Sequence, residues 1–266
     1  MTESEDDAKI PFTAHLEELR TRLIRCSIAV LIGTMASYAF KEKLFDILTW
    51  PLIQAMPPNG KLIYTGLPEA FFTYLKVSFI TGLLLAAPVI AYQFWMFVAP
   101  GLYKKERFLL APVIFLSAFF FVGGALFGYY LVLPWGFKFF IGFSSETIQA
   151  MPSMKEYLSL ASKMLLAFGF VFELPIVLTS MAALGLTTAG FLKKNRKYAV
   201  VMAFVIGAVL TPSPDVVSQV MMAVPLVILY ELSIIGAKIF GKKKVESDTD
   251  EQENSEEKPL DSVHPH

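Results

Sequence analysis

Four stretches of the chain carry no Lys, Arg, Asp or Glu: Cys26 to Phe40, Val77 to Tyr103, Phe108 to Trp135 and Tyr198 to Pro214. Apolar runs of about 20 residues are what a helix needs to cross a hydrocarbon core of ~30 Å. The pattern predicts an all-α, six-span transmembrane helical bundle, with spans at Leu23–Phe40, Phe71–Ala99, Phe108–Pro134, Leu158–Leu184, Tyr198–Leu210 and Val216–Ala237. The fifth span is short, because 13 residues at about 1.5 Å each cover only ~20 Å. Thr211-Pro-Ser-Pro214 then turns the chain directly into the sixth, which is expected to be short as well. Either the bilayer thins around this hairpin or neighbouring helices shield its ends. The alternative is a fifth helix that begins earlier, at Phe191. Pro88, Pro112, Pro175 and Pro225 each remove a donor and are expected to kink their spans. Gly124 and Gly128 form a small-xxx-small surface suited to close helix approach. The long connections 41–70 and 135–157, punctuated by Trp50-Pro51-Leu52, Pro57-Pro58-Asn59-Gly60 and Met151-Pro152, are expected to fold into turns and short helices that cap one face.

Charge adds an orientation. Of the 266 residues 17% are charged, and 23 bases balance 23 acids, but the signs are segregated. With both termini in the cytoplasm, 16 bases fall on the inner side against five outside, the distribution that the positive-inside rule requires. Lys76 and Lys163 sit near outer ends of spans, where long stems snorkel. Residues 1–22 read as a cytoplasmic amphipathic segment, 23–238 as the membrane domain, and 239–266 as a basic, then acidic tail. Eight acids between Glu246 and Asp261 face one base, Lys258, so the tail is expected to be disordered. Acids precede the first apolar run and no small-residue cleavage site follows it, so that run is read as a retained helix.

Several chemistries are excluded. The single Cys26 rules out an intrachain disulfide and a cysteine cluster, and the three histidines, at 15, 264 and 266, all lie outside the spans. The string Gly236-Ala-Lys-Ile-Phe-Gly-Lys-Lys243 nearly spells a phosphate loop, but Lys243 stands where Ser or Thr would hold Mg²⁺, and no strand precedes it. No nucleophile elbow occurs, and no His/Asp pair is available to activate a serine. The chain is therefore read as a non-enzyme without a cofactor.

Two constellations remain. Glu173, in Phe170-Val-Phe-Glu-Leu-Pro175, falls in the middle of the fourth span, where a carboxyl is costly and by default functional. Its alternative role is a hydrogen bond inside the bundle, for structure only. Near the amino terminus, Phe12, Leu16, Leu19 and Leu23 recur at helical spacing, with Thr13 as N-cap and Glu18 four residues before Arg22. Glu106 sits among three bases in Tyr103-Lys-Lys-Glu-Arg107. Two carboxylates held beside cations suit bidentate capture of a ligand's arginines. The alternative is a solvated face whose ion pairs satisfy each other.

Four motifs resemble those of the TatC family, the polytopic core of twin-arginine protein translocases. They are His15-Leu-Glu-Glu-Leu-Arg20, the run Ala87 to Arg107, Ala167 to Pro175, and Leu210-Thr-Pro-Ser-Pro-Asp-Val-Val-Ser-Gln219. The resemblance spans about Pro11 to Gly241 and excludes the acidic tail. It implies a concave, glove-like bundle in the bacterial cytoplasmic membrane that receives twin-arginine signal peptides of folded proteins and exports them with the proton-motive force. It implies signal-peptide binding at Glu18, Glu106, Arg20, Arg22 and Phe97, an intramembrane polar site at Glu173, and an outer-loop position at Pro51. Docking of the single-span partners TatA and TatB falls to Thr211, Asp215 and Gln219. Self-association and lipid contact are also implied, with no nucleic acid. The competing reading from residues alone is a proton-coupled small-molecule transporter with Glu173 as its proton carrier.

Overall fold

The computed structural model describes residues 12–57, 62–64, 66–98, 110–144, 151–211 and 215–241. Glu106, the Thr13 side chain, the turns at 58–61 and 212–214, and the acidic tail lie outside the described residues. The order is α1 (Phe12–Tyr38), α2 (Lys41–Ala55), α3 (Glu69–Val98), α4 (Leu110–Phe127), a π-helical turn (Gly128–Val132), α5 (Leu133–Ile141), α6 (Met154–Phe172), α7 (Leu174–Ala183), α8 (Ala189–Lys194), α9 (Arg196–Leu210) and α10 (Val216–Phe240). The first, second, fifth and sixth spans are α1, α3, α9 and α10, while α4 with α5 forms the third and α6 with α7 the fourth.

Among the described residues four elements are long and apolar enough to cross a membrane: α3, Leu110–Ile141, Met154–Ala183 and α10. The amphipathic start and the first span merge into one 27-residue helix, because no breaker falls between Phe12 and Tyr38. After Tyr38 the chain turns by 90° into α2.

The structure corrects several boundaries. The third span does not stop at Pro134 but runs to Ile141, because Pro134 enters α5 in its first turn and costs no intrahelical bond there. The Leu133 N–H reaches back to the Gly128 carbonyl, and this widened π turn leaves room for the proline ring. The fifth span does not extend back to Phe191, since Asn195 (φ −90°, ψ 8°) separates α8 from α9. At 15 residues, α9 spans about 22 Å, well short of ~30 Å. The sixth span, expected short with it, has 25 residues because nothing breaks the helix before Gly241, so the hairpin is short on the α9 arm alone. Pro88 and Pro225 lie inside unbroken α3 and α10, and Pro112 lies in the first turn of α4 as described. Pro175 is different: it is the second residue of α7, and the fourth span breaks at the residue just before that helix, Glu173 (φ −71°, ψ −21°). The string that resembles a phosphate loop is helical from Gly236 to Phe240, with its N–H groups turned along the helix rather than into a cradle.

Two helix crossings are backbone on backbone. A β-carbon at Gly33 of α1 would lie 2.6 Å from the Gly82 carbonyl oxygen of α3, so only glycine lets these antiparallel helices approach this closely. The expected small-residue surface behaves likewise: a β-carbon at Gly124 would overlap the Phe168 carbonyl of α6. Phe168, Leu158, Val77, Ala161 and Ala223 centre the main core.

The connection segments do fold into a cap, at the end opposite the start of α1. Leu48, Thr49, Pro51 and Leu52 bury one face of α2. Pro51 has no N–H to offer the Ile47 carbonyl one turn back, and the Tyr129 hydroxyl donates to that carbonyl instead. The Tyr157 hydroxyl donates to the next carbonyl, Leu48. The two connections are stitched together by Met154 N–H to the Ile63 carbonyl at 2.8 Å and Ile63 N–H to the Pro152 carbonyl at 3.2 Å. Beside them the buried Glu69 carboxylate accepts from Lys155 N–H at 2.8 Å, Ser153 Oγ at 3.2 Å and Gly66 N–H at 3.3 Å.

Candidate functional site

Because α1 and α3 run antiparallel, the first turns of α1 meet the last turns of α3. Arg22 donates from Nε to Glu18 Oε1 at 2.9 Å, and from Nη1 to Gln93 Oε1 at 3.2 Å. The pair Glu18–Arg22 is the one that the four-residue spacing predicts. Gln93, buried on α3, is a partner that spacing cannot reveal. The His15 ring stacks on Phe97 with centroids 4.3 Å apart and planes 15° from parallel, and His15 Nδ1 lies 3.8 Å from Glu18 Oε2. Glu18, Arg22 and Phe97 are thus brought together, with His15 and Gln93 added. Arg20 and Glu17 are exposed on α1, and Arg20 has no ion-pair partner among the described residues. Below this cluster a cavity of about 550 Å³ opens between α1 and α3, lined by Arg22, Cys26, Val30, Phe79, Gln93 and Phe97.

A second cavity, of about 440 Å³, lies on the other side of α3 and shares Leu83, Ile90 and Phe94 with the first. Its polar group is Glu173, half-buried among Phe121, Phe170 and Val177. The break before Pro175 puts this residue where two helical pieces join, and its carbonyl accepts from Val177 N–H at 2.9 Å. The Ser117 hydroxyl of α4 donates to Glu173 Oε2, and Trp95 Nε1 of α3 donates to Ser117 Oγ at 3.0 Å. Sequence reasoning found the acid but missed both partners. A serine and a tryptophan in apolar runs carry no signal of their own.

The three residues expected to dock partners lie where α9 ends and α10 begins, and the side chains of two of them are also held within the fold. Asp215 caps α10, with Oδ1 accepting from Ser218 N–H at 2.7 Å. Gln219 Nε2 donates to the Phe204 carbonyl at 3.0 Å, bracing one arm against the other. Thr211 ends α9, and its buried Oγ1 finds no partner among the described residues. Pro51 is buried in α2, remote in the fold from the α1–α3 cluster.

The end of the molecule where α1 begins is basic beyond that cluster. Arg196 pairs with Glu231 at 2.6 Å, and Tyr230 O–H donates to the Leu192 carbonyl at 2.8 Å, docking α8 on α10. This docking sets Lys193 against Lys238, whose hydrogen bond and like charge hold Lys193 below the usual lysine range.

Comparison with known proteins agrees with this architecture. The family model described as Sec-independent protein translocase protein (TatC) matches residues 14–225. The Sec-independent protein translocase protein TatC of Desulforapulum autotrophicum is 64% identical over 253 residues, covering 95% of this chain and 92% of the relative. The Escherichia coli protein of the same name is 37% identical, covering 86% of this chain and 89% of its own. A crystal structure of the twin-arginine translocase receptor TatC superimposes with a TM-score of 0.76 at 42% identity, covering 85% of this chain and 99% of that one. The chain belongs to the TatC family and is a membrane-embedded subunit of the twin-arginine protein translocase, rather than the small-molecule transporter that a lone intramembrane acid also allowed.

Proposed function

We propose that the mouth between α1 and α3 receives the twin-arginine motif of signal peptides on folded proteins. One observation carries this reading: a partly exposed carboxylate, Glu18, pairs with Arg22, which lines an apolar cavity of about 550 Å³. A planar, permanently charged guanidinium pairs with such a carboxylate through a fork that an ammonium lacks. Glu106, in the sequence between α3 and α4, supplies the second carboxylate. Phe97, stacked on His15, forms an aromatic wall, and exposed Arg20 orients acidic flanks of the ligand. The apolar part of the peptide then lies along Phe94 towards Glu173, which serves as a polar contact for the peptide or for a partner's single helix. Thr211, Asp215 and Gln219 at the hairpin turn are the docking region for TatA and TatB, and Pro51 shapes the cap above. The protein sits among lipids in the bacterial cytoplasmic membrane and associates with further copies of itself. Both termini face the cytoplasm, because the Arg20, Lys193, Arg196 and Lys238 end is the basic one. Energy comes from the proton-motive force.

Photo-crosslinkers at positions 18 and 106, offered signal peptides with paired arginines or paired lysines, test the reading. Arginine-dependent crosslinks at both positions are expected; equal crosslinking of the two peptides removes the recognition site. Glu173→Ala is expected to abolish export while leaving peptide binding intact. Loss of the protein from the membrane in that variant, in place of an export defect, reduces Glu173 to a structural hydrogen bond.

A further inference from the structure

A pocket for guanidinium groups that already holds one presents a physical puzzle. Arg22 sends both Nε and Nη2 to Glu18 Oε1, and its remaining nitrogen, Nη1, to Gln93. Its side chain is 16% exposed against 29% for Glu18, so the resident cation is the deeper of the two. The carboxylate oxygen left over, Oε2, has His15, 3.8 Å away, as its one charged neighbour among the described residues. Resting on the assignment of Glu18 to twin-arginine recognition, we infer that Arg22 is a built-in competitor that sets specificity, occupying the carboxylate in the way a ligand arginine does and yielding only to a guanidinium.

The chemistry follows from what a newcomer must replace. Oε1 accepts two charge-assisted hydrogen bonds, so displacing Arg22 forfeits both unless the ligand restores two. A ligand arginine restores them with its own fork. A lysine brings a compact, strongly hydrated point charge on a flexible stem and cannot match them. If Arg22 stays, the newcomer shares one carboxylate with a like charge at short range, and repulsion again falls hardest on the ligand making the fewest bonds. Gln93 keeps the competitor in position: its buried Oε1 accepts the third nitrogen of Arg22 and holds the guanidinium against Glu18. Competition therefore raises the threshold for every ligand and widens the gap between arginine and lysine. This is specificity obtained by disfavouring the wrong partner.

The test measures affinities of labelled signal peptides carrying Arg-Arg or Lys-Arg for the full-length protein in lipid nanodiscs. For the unaltered protein, the Lys-Arg peptide is expected to bind at least about tenfold more weakly, ~1.4 kcal/mol. In Arg22→Gln the gap closes to about twofold, chiefly because Lys-Arg binding improves, as expected when a competing cation no longer occupies the carboxylate. Gln93→Met keeps every charge but loosens the hold on Arg22, and it shifts the ratio in the same direction by less. An unchanged ratio in both variants overturns the inference. So does an equal loss of both peptides in Arg22→Gln, which makes Arg22 a prop for Glu18 and no more. Glu18→Gln separates this failure from failure of the recognition reading. If Glu18→Gln leaves Arg-Arg affinity unaltered, the carboxylate is not the receptor and both ideas fall; if it weakens Arg-Arg binding while the Arg22 ratio stays fixed, only the competitor falls.

Discussion

Two carboxyl groups, the buried Glu69 and the half-buried Glu173, sit in contrasting surroundings. Glu69, in the cap, accepts from three donors among the described residues, drawn from both connections, and is 9% exposed. Glu173, at the broken fourth span, takes one donor, Ser117, and lines an apolar cavity of about 440 Å³. The cap carboxylate is saturated by its own chain, so it has little left for a ligand and its value is structural. The intramembrane carboxyl keeps acceptor capacity beside empty space, an arrangement that costs stability and is retained where something is meant to arrive. Burial alone does not mark a functional acid. Unspent hydrogen-bonding capacity facing a cavity does.

The largest effect is expected where the carboxylate is saturated. Glu69→Ala removes the acceptor of the Gly66 and Lys155 amides and of the Ser153 hydroxyl, bonds that are part-buried and worth about 1 kcal/mol net each. Unfolding in detergent should show a loss of several kcal/mol, and Glu69→Gln, which keeps an acceptor, should recover part of it. Glu173→Ala in the same assay should lose far less while export fails. Equal destabilisation by the two substitutions breaks the contrast.

How much of this was legible beforehand follows from the range of each interaction. The six spans are written in long, mostly apolar runs, four of which include stretches without any charge, and the short fifth span in 13 residues between Lys197 and Thr211. Glu18–Arg22 is legible because both lie on one helix, four residues apart. Glu173 is legible because it is an acid in an apolar run. Gln93 reaches Arg22 across 71 positions, and Ser153 and Lys155 reach Glu69 across 84 and 86. No local period encodes such pairings. The sequence places the end of the third span at Pro134, within the uncharged stretch from Phe108 to Trp135, whereas after the π turn that site begins a new helix. The seat of Pro51 was legible only as punctuation, because its consequence, an orphaned Ile47 carbonyl, is answered by a tyrosine 82 positions from that carbonyl.

That answer gives an intermediate effect. Tyr129→Phe should cost about 1 kcal/mol, the usual net worth of one intramolecular hydrogen bond. Restoring the missing N–H with Pro51→Ala gives the Ile47 carbonyl a backbone partner, so Tyr129→Phe should cost less in that background. A double-mutant cycle from chemical unfolding measures the coupling. Zero coupling means that the hydroxyl and the absent amide are unrelated.

The smallest effect belongs to the donor behind Glu173. Trp95→Phe deletes the N–H to Ser117 Oγ yet leaves that hydroxyl free to go on donating to the acid, so no buried donor is stranded. Hydrogen bonds between membrane helices average about 0.6 kcal/mol, because the partners find substitutes in the lipid-embedded state as well. Stability should therefore fall by that order, and export should remain. The reasoning behind the contrast demands this outcome: if Glu173 works through capacity left open to the cavity, the strength of its one internal bond matters little. An export loss in Trp95→Phe as deep as in Glu173→Ala would mean instead that Trp95, Ser117 and Glu173 act as one polarised chain. The intramembrane acid would then resemble Glu69 in depending on its own protein partners, and what separates the two sites would be their place in the bundle rather than their hydrogen-bonding capacity.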